Sequence, residues 1–428
     1  MKGFVISWFF PPINSSEGLV TFKLLKNSGI KHDVFTQNSN NNWSYNSSEN
    51  YLKHENISTI FGKAESLDEW AQECFKYFDK HHKKYDFIMT RSMPPESHKA
   101  ALLIKAKYPN VKWIASFGDP IADSPYTILS KEKSPHRLNE QSIFNNSLRE
   151  IFSMKRFAKN ILWDYKDRHF VAEERTKRRL EKDTLLYADH LIFNSSYQEN
   201  YMLKDFSEQV KHKALVIPHT FDKDFYVNKV KTNRQSDKIE ISYLGHLDYL
   251  RNPINFLKAI KKLQRLKTDN YKRLSVNFYG NIDNYSKIYI LDNSLYDIVH
   301  INKPIKYLES LEIMQKSDWC LLIDANLSRV VDENIYFAAK IADYIGSGTN
   351  IFGITMSDGA SSDIIRETGG IVSSHSVDEI FMYLNLITEN KIQTKNKNTS
   401  KYDSRNAAKR YDDLVRKMMA EKNLNHKG

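Results

Sequence analysis

Two doubly wound α/β units, one after the other, are what the sequence predicts, and three observations predict them. Short apolar runs of strand length alternate with amphipathic runs of helix length, the pattern of parallel βαβ units. The alternation breaks at a charged, turn-rich stretch from Asp222 to Lys238 and then restarts. At 428 residues the chain has room for roughly two to three domains.

The opening, MKGFVISWFFPPINSSEGLV, raises three readings. A membrane span needs about 20 apolar residues, and Gly3 to Phe10 is far shorter. A secretory leader needs a basic start and a small-residue cleavage site; only Lys2 precedes the apolar run, and no such site comes after it. Beyond the two prolines, Leu19-Val20, Phe22 and Leu24-Leu25 recur at helical spacing. The stretch therefore reads as strand (Phe4–Phe10), loop (PPINSSEG) and helix. Lys31–Thr36 is the next strand. Ser66–Lys83 is a helix with Ser66 as its cap and Trp70, Cys74, Phe75 and Phe78 on its apolar face. Phe87–Thr90 is a strand, His98–Lys107 a helix, and Val111–Ser116, Leu191–Asn194 and Ala214–Ile217 are strands.

After the linker, strands are expected at Ile239–Leu244, Leu274–Tyr279, Val299–Ile301, Trp319–Ile323 and Asn350–Ile354. Helices are expected at Pro253–Leu266, Tyr307–Gln315, Tyr336–Ile345 and Ser376–Leu386. Asn390 to Lys401 is polar and reads as flexible. An amphipathic helix, Ser404–Lys422, comes last. The boundaries predicted are a first unit at 1–222 and a second at 238–395.

Composition narrows the class. A hydrophobic fraction of 41% supports real cores. Two distant cysteines, Cys74 and Cys320, make neither a disulfide framework nor a zinc site, and suit a reducing compartment such as the cytoplasm. The net charge of +11 comes from 63 Lys and Arg against 52 Asp and Glu. It suits an anionic partner, whether a phosphorylated ligand, a lipid surface or nucleic acid, or equally a lysine-rich chain with solvated faces. No nucleic-acid-binding module is visible, so nucleic acid is not expected. From Leu138 to Asp183, Phe152, Phe157, Leu162 and Trp163 mix with Lys155, Arg156 and Lys159, and Arg175 to Arg179 is strongly basic. Such a helix suits peripheral contact with an anionic membrane, or equally an ordinary packed helix with a basic outer face.

Three stretches can carry chemistry. A loop leading into a helix N-terminus is an anion site, and Gly18 in the first loop would let backbone approach a ligand. With one glycine it is not the dinucleotide fingerprint. Gly245-His246-Leu-Asp-Tyr-Leu-Arg251-Asn-Pro follows a strand and precedes a helix, an arrangement that suits a diphosphate. In the third, Lys340 and Asp343 lie three apart on one helix, so they share a face. Gly346 and Gly348 follow that helix and read as its cap and turn. Asp222-Lys-Asp224 has the spacing of a D-x-D metal motif, but a cation would need further oxygen ligands. It reads as a turn, and no metal is expected.

In order along the chain, FPP…G, ADHLIFNSSYQENYM, VIPHTFD, ISYLGHLDYLRNPINFLKAI, LESLEIMQKSDWCLLI and KIADYIGSG resemble the family 4 glycosyltransferases of the GT-B fold, most strongly from Ala188 to Gly370. The resemblance implies two facing Rossmann-like domains, with the last helix, 404–422, crossing back onto the first. It implies retaining transfer of a hexosyl or N-acetylhexosaminyl group from a UDP- or GDP-sugar to a saccharide or lipid-linked acceptor. No cofactor would be tightly bound and no metal used. The setting would be bacterial surface polysaccharide synthesis, in the cytoplasm or peripherally on the inner face of the membrane. By position, Gly245 and Arg251 match the phosphate-binding turn, with His246 where the family has arginine. Lys340 matches a phosphate-side lysine, Asp343 the ribose-binding glutamate, and Gly18 the loop glycine. Asp119, in Phe117-Gly-Asp-Pro120, lies near a residue that contacts the donor sugar. Of the family's two acids eight positions apart, Ile335 replaces the first, and Glu333 is nearby but out of register. Asp119, Arg251 and Lys340 are thus the expected catalytic residues. Arg251→Ala and Asp343→Ala should each abolish transfer with the fold intact. The alternatives are a nucleotide-sugar epimerase of the same architecture and a basic nucleic-acid-binding protein.

Overall fold

The computed structural model describes residues 1–13, 15–38, 54–132, 172–226, 237–392 and 399–425. Most of the apolar-basic stretch read between Leu138 and Asp183 lies outside them, as do parts of the 222–238 linker and of the 390–401 stretch.

The first unit is a seven-stranded sheet with the order β3-β2-β1-β4-β5-β6-β7. Its strands are β1 (Lys2–Ile6), β2 (Lys31–Thr36), β3 (Ile57–Phe61), β4 (Phe87–Arg91), β5 (Lys112–Ser116), β6 (His190–Phe193) and β7 (Ala214–Val216). Its helices are α1 (Ser16–Lys26), α2 (Leu67–His81), α3 (Glu96–Lys107), α4 (Pro125–Glu132), α5 (172–187), α6 (Ser196–Leu203) and α7 (Glu208–Lys211). The second unit is a six-stranded sheet with the order β10-β9-β8-β11-β12-β13. Its strands are β8 (Ile239–Leu244), β9 (Leu274–Tyr279), β10 (Val299–Asn302), β11 (Trp319–Ile323), β12 (Asn350–Ile354) and β13 (Ile371–Ser373). Its helices are α8 (Ile254–Leu266), α9 (Thr268–Lys272), α10 (Asn284–Asp292), α11 (Tyr307–Lys316), α12 (Ala339–Ser347), α13 (Ala360–Glu367) and α14 (Val377–Thr388). The last helix is α15 (Ser404–Asn425). Every strand pair is parallel.

The central strands are buried on both faces, as parallel strands covered by helices must be, whereas the edge strands β7 and β10, also read from sequence, are partly exposed. Phe87 to Arg91 and Trp319 to Ile323 are buried throughout. The helix at Ser66 begins as expected: the Ser66 hydroxyl accepts from the Glu69 amide at 3.3 Å and donates to the Glu69 carboxylate at 2.8 Å. The first bond is an N-cap, and the second ties the Glu69 carboxylate to the capping hydroxyl. Gly348 caps α12 in the left-handed conformation, φ 74°, as its place in the sequence predicts.

Three expectations are corrected. The first strand stops at Ile6 instead of Phe10, and Ser7 to Phe10 form a buried turn in which the Ser7 hydroxyl donates to the Phe9 carbonyl at 2.8 Å. The helix expected from Tyr336 starts at Ala339. Tyr336 and Phe337 are buried in an extended approach, and the Asn334 side chain accepts the Tyr336 amide at 3.0 Å. Gly18 is not in the loop at all. It is the third residue of α1, and a side chain there would meet the Phe10 backbone at 3.1 Å. Its glycine character serves packing of the preceding turn against the helix. β3 escaped the sequence reading because it is an edge strand of mixed exposure, without the apolar run of its neighbours.

The two crossings between units run side by side. The Phe221 amide donates to the Tyr402 carbonyl, and the Ser404 amide to the Phe221 carbonyl, each at 2.9 Å. From there α15 returns to the first unit. Ala407, Ala408, Tyr411, Val415 and Met418 join Val5, Phe22, Leu25 and Val34 in one core. Burying each of the three large side chains of this face contributes roughly 1.5–3 kcal/mol. Asp412 fixes the register, accepting from the Ser28 hydroxyl at 2.5 Å and the Gly29 amide at 2.8 Å.

Candidate functional site

In open α/β sheets ligands bind beyond the carboxyl ends of the strands, where the strand order reverses. That point lies between β8 and β11 in the second unit and between β1 and β4 in the first. The predicted residues lie at or near these two places.

In the second unit β8 ends in Gly245, at φ 128°, a conformation that side chains rarely adopt. Gly280, after β9, is at φ 139°, and a side chain on it would lie 2.2 Å from the Gly245 carbonyl oxygen. The two turns are stacked so closely that both need glycine. Asp248 folds the next turn, its Oδ1 accepting the amides of Leu250 and Arg251 at 2.9 Å each. This holds Arg251 just ahead of α8, with a loose 3.5 Å contact from its guanidinium to Asp248. His246 is exposed, and its Nδ1 accepts weakly from the Asn281 amide at 3.4 Å.

Lys340 is the second residue of α12 and reaches back over this turn. Its Nζ donates to the Tyr243 hydroxyl at 2.9 Å and stands 4.1 Å from the centre of that ring. A side chain at Gly245 would come within 3.0 Å of it. Burial, and after it the charge of Arg251, push the Lys340 ammonium down to about 7. The opposing charge is Asp324, a residue the sequence reading missed. It follows β11 at the strand-order reversal and accepts from the Thr355 hydroxyl at 3.1 Å and the Asn334 amide nitrogen at 3.3 Å. Burial raises its pKa, with Lys340 and Arg251 among the groups opposing. The available signal was an acid directly after the wholly apolar run WCLLI. Two cations thus converge on a glycine turn, within electrostatic reach of one buried acid.

Asp343, one helical turn beyond Lys340, is elsewhere occupied. The two do not pair, although they are three apart. Asp343 Oδ1 accepts from Lys23 Nζ of α1 at 2.7 Å and from the Tyr307 hydroxyl at 2.9 Å. The face that helical spacing predicts for both residues is therefore divided, with Asp343 in a buried ion pair between the units.

In the first unit Arg91 ends β4. Its Nε donates to Glu17 at 2.7 Å and one terminal nitrogen to the Ser116 hydroxyl at 3.0 Å. Gly118 lets the loop after β5 lie on Glu17, since a side chain there would come within 2.6 Å of the carboxylate. The Gly118 carbonyl accepts from Asn194 at 2.7 Å and Gln198 at 3.1 Å. The loop so fixed presents Asp119, which is half-buried. Burial first and the Glu17 carboxylate second raise Asp119 to about 7, against the pull of Arg91 and of Arg251 from the other unit.

A carboxyl with a raised pKa costs stability once it must ionise. That cost is absent below the ordinary carboxylate range near pH 4 and complete above about pH 7. Asp119→Asn is expected to raise the melting temperature at pH 8.5 and to change little at pH 4.5. A melting series across pH checks this, and an unaltered difference between the two pH values would refute it.

Asp222 and Asp224 share the ammonium of Lys26 at 2.8 Å each, and Arg405 holds Asp224 at 2.6 Å. They tether the crossing to α1 and α15. Among the described residues no group of three His, Cys, Asp or Glu stands in metal-holding geometry, and no helix is long and apolar enough to cross a membrane. The basic run Arg175–Arg179 lies on α5 in surface ion pairs, Lys177 with Glu173 and Arg178 with Asp123, both at 2.7 Å. A cavity of about 340 Å³ between the units is lined by Ser195, Tyr197, Asp363, Glu367 and Tyr402 among others. It includes none of the predicted site residues.

No family model matches the chain, and no curated protein matches it. Solved structures do. Sucrose-phosphate synthase from Thermosynechococcus elongatus is 13% identical, covering 100% of this chain and 98% of that one, with a TM-score of 0.61. The lipopolysaccharide outer core galactosyltransferase WaaB is 12% identical over 97% and 99%, with a TM-score of 0.58. The fold is GT-B. A UDP-GlcNAc 2-epimerase from Neisseria meningitidis, solved with UDP-GlcNAc, shares the GT-B fold at 14% identity over 97% and 100%, with a TM-score of 0.56. Transferases and epimerases are thus similar to this chain to about the same degree.

Proposed function

We propose that this GT-B chain is a retaining glycosyltransferase. It moves a hexosyl or N-acetylhexosaminyl group from a UDP- or GDP-sugar to a saccharide or lipid-linked acceptor. The observation that carries the reading is the convergence of Arg251 and Lys340 on the Gly245 turn. Two cations held together, one of them with a depressed pKa, form a site that wants an anion. A nucleoside diphosphate supplies one at the place where α/β sheets bind phosphates. In this reading Arg251 and Lys340 take up the charge that develops on the departing diphosphate as the sugar bond loosens. Gly245 lets the backbone come close to it, and His246 stands at the rim. Asp343 faces the ribose, and Asp119 faces the donor sugar and the acceptor from residues 1–222, while 238–395 holds the nucleotide. Closure of the units excludes water and protects the donor from hydrolysis. Surface polysaccharide synthesis is the proposed setting, in the cytoplasm and against the inner face of the membrane when the acceptor is lipid-linked. The two cysteines, both buried and unpaired, suit that compartment.

Purified protein is expected to gain thermal stability with UDP, GDP or one of their sugars, and no response to any of them would overturn the reading. Product analysis with and without acceptor separates the two enzyme classes among the structural neighbours. A transferase needs the acceptor, whereas an epimerase converts the donor alone.

The depressed Lys340 pKa gives a further test. A bound diphosphate raises that pKa, so binding is complete in charge below about pH 7. Above it, binding must take up a proton, and affinity falls by up to roughly tenfold per pH unit. Calorimetry of UDP or GDP binding from pH 6 to 9, in buffers of different ionisation enthalpy, is expected to show this uptake, and Lys340→Met to remove it. A pH-independent affinity in the wild type would refute the assignment.

A further inference from the structure

Asp343 divides its carboxylate between two surroundings. Oδ1 holds both protein contacts, Lys23 Nζ at 2.7 Å and the Tyr307 hydroxyl at 2.9 Å. Oδ2 has no hydrogen-bond partner among the described residues, yet it is not one of the polar atoms buried without a partner. The neighbouring Tyr226 hydroxyl donates to the backbone carbonyl of Asp343 at 2.9 Å and also lies beside its carboxylate, whose charge, after burial, helps hold the phenol protonated. Lys23, for its part, has no freedom. It is 2% exposed, its Nζ also donates to the Thr220 carbonyl at 2.9 Å, and it lies 5.4 Å from the centre of the Tyr307 ring.

A buried ion pair is a weak device for stability, because desolvation offsets much of the attraction. It is a good device for fixing one carboxylate oxygen so that the other points in a set direction. The lysine comes from α1 of the first unit and the carboxylate from α12 of the second, one turn from Lys340.

We propose that Lys23 is a positioning residue for ribose recognition: with Tyr307 it holds Oδ1 of Asp343 and presents Oδ2 to the ribose hydroxyls of a nucleoside diphosphate. The inference rests on the nucleotide-sugar reading above and adds a consequence to it. Ribose recognition in the second unit depends on a side chain of the first, so nucleotide affinity is coupled to how the units dock.

The test uses the full chain with UDP, GDP and their 2′,3′-dideoxy forms as probes, read by calorimetry. The wild type is expected to bind the ribose form roughly tenfold or more tightly than the dideoxy form, the worth of a hydrogen bond to a charged group. Lys23→Met is expected to weaken the ribose form to the level of the dideoxy form while leaving the latter unchanged. A purely structural role would weaken both alike and would overturn the proposal. Tyr307→Phe leaves the ion pair in place, removes the second anchor, and is expected to lose part of the discrimination. If Lys23→Met fails to fold, full discrimination in Tyr307→Phe overturns the proposal. A wild type that binds both forms equally also overturns it, with the nucleotide reading intact. A wild type that binds neither UDP nor GDP overturns both.

Discussion

Arg251→Ala is expected to lower transfer by roughly 10²–10³-fold, the usual cost of removing one preorganised group that stabilises developing charge. It should also shrink, without abolishing, the thermal shift given by UDP or GDP. The unliganded fold should be almost unaffected. The contact of Arg251 with Asp248 is a half-exposed pair at 3.5 Å, and such pairs contribute about 0–1 kcal/mol. The turn itself is held by Asp248 through the backbone amides of Leu250 and Arg251, which alanine retains. The pairing of the cations adds a distinctive side effect. With Arg251 gone, one of the two causes that depress Lys340 is removed, so the Lys340 pKa should rise and the pH dependence of nucleotide binding should move upward. Steady-state kinetics with a pH series of binding checks both parts. Wild-type turnover in the variant would sink the site assignment.

Asp343→Ala is expected to cost stability as well as activity, about 3–5 kcal/mol, because it leaves the buried Lys23 ammonium without its counter-charge. The sequence alone predicts loss of transfer with the fold intact. The structure argues against the intact fold by placing Lys23 Nζ 2.7 Å from Asp343, with the two side chains 3% and 10% exposed. Asp343→Asn keeps an acceptor for Lys23 and should destabilise less. It is therefore the better variant for separating ribose recognition from folding. Urea unfolding of the wild type, the alanine variant and the asparagine variant gives the order directly. Equal midpoints for the wild type and Asp343→Ala would show that the ion pair contributes nothing to stability.

These two predictions differ because the two residues were legible to different degrees. Arg251 could be placed from sequence. A strand, a glycine, a short turn and a helix start are all local features, and their order sets where the arginine must sit. Lys340 was legible in part, since its helix could be seen, but its direction could not. Helical spacing put it beside Asp343, whereas the fold sends it toward Tyr243 and Gly245. Asp324 was passed over because one acid after an apolar strand is an ordinary ending. Only the sheet order puts that ending at the reversal point beside β8.

Local chemistry fixed the rest of what could be read. The strand runs were apolar because parallel strands are covered on both faces, and the Ser66 cap and the Gly348 stop are contained within a few residues of chain. The division into two α/β units was legible for the same reason, since a break in periodicity is a local event. What only the tertiary structure decided are the contacts between residues far apart in the chain. Lys23 meets Asp343, Glu17 meets Arg91 and Gly118, and Tyr126 lies tilted against Tyr336 with ring centres 4.2 Å apart. Gly18, read as a loop glycine for a ligand, proved to be a helix glycine for the Phe10 backbone. A single chain carries no record of which distant partner fills the space beside a residue. Packing and burial make that choice as each unit folds and as the two come together.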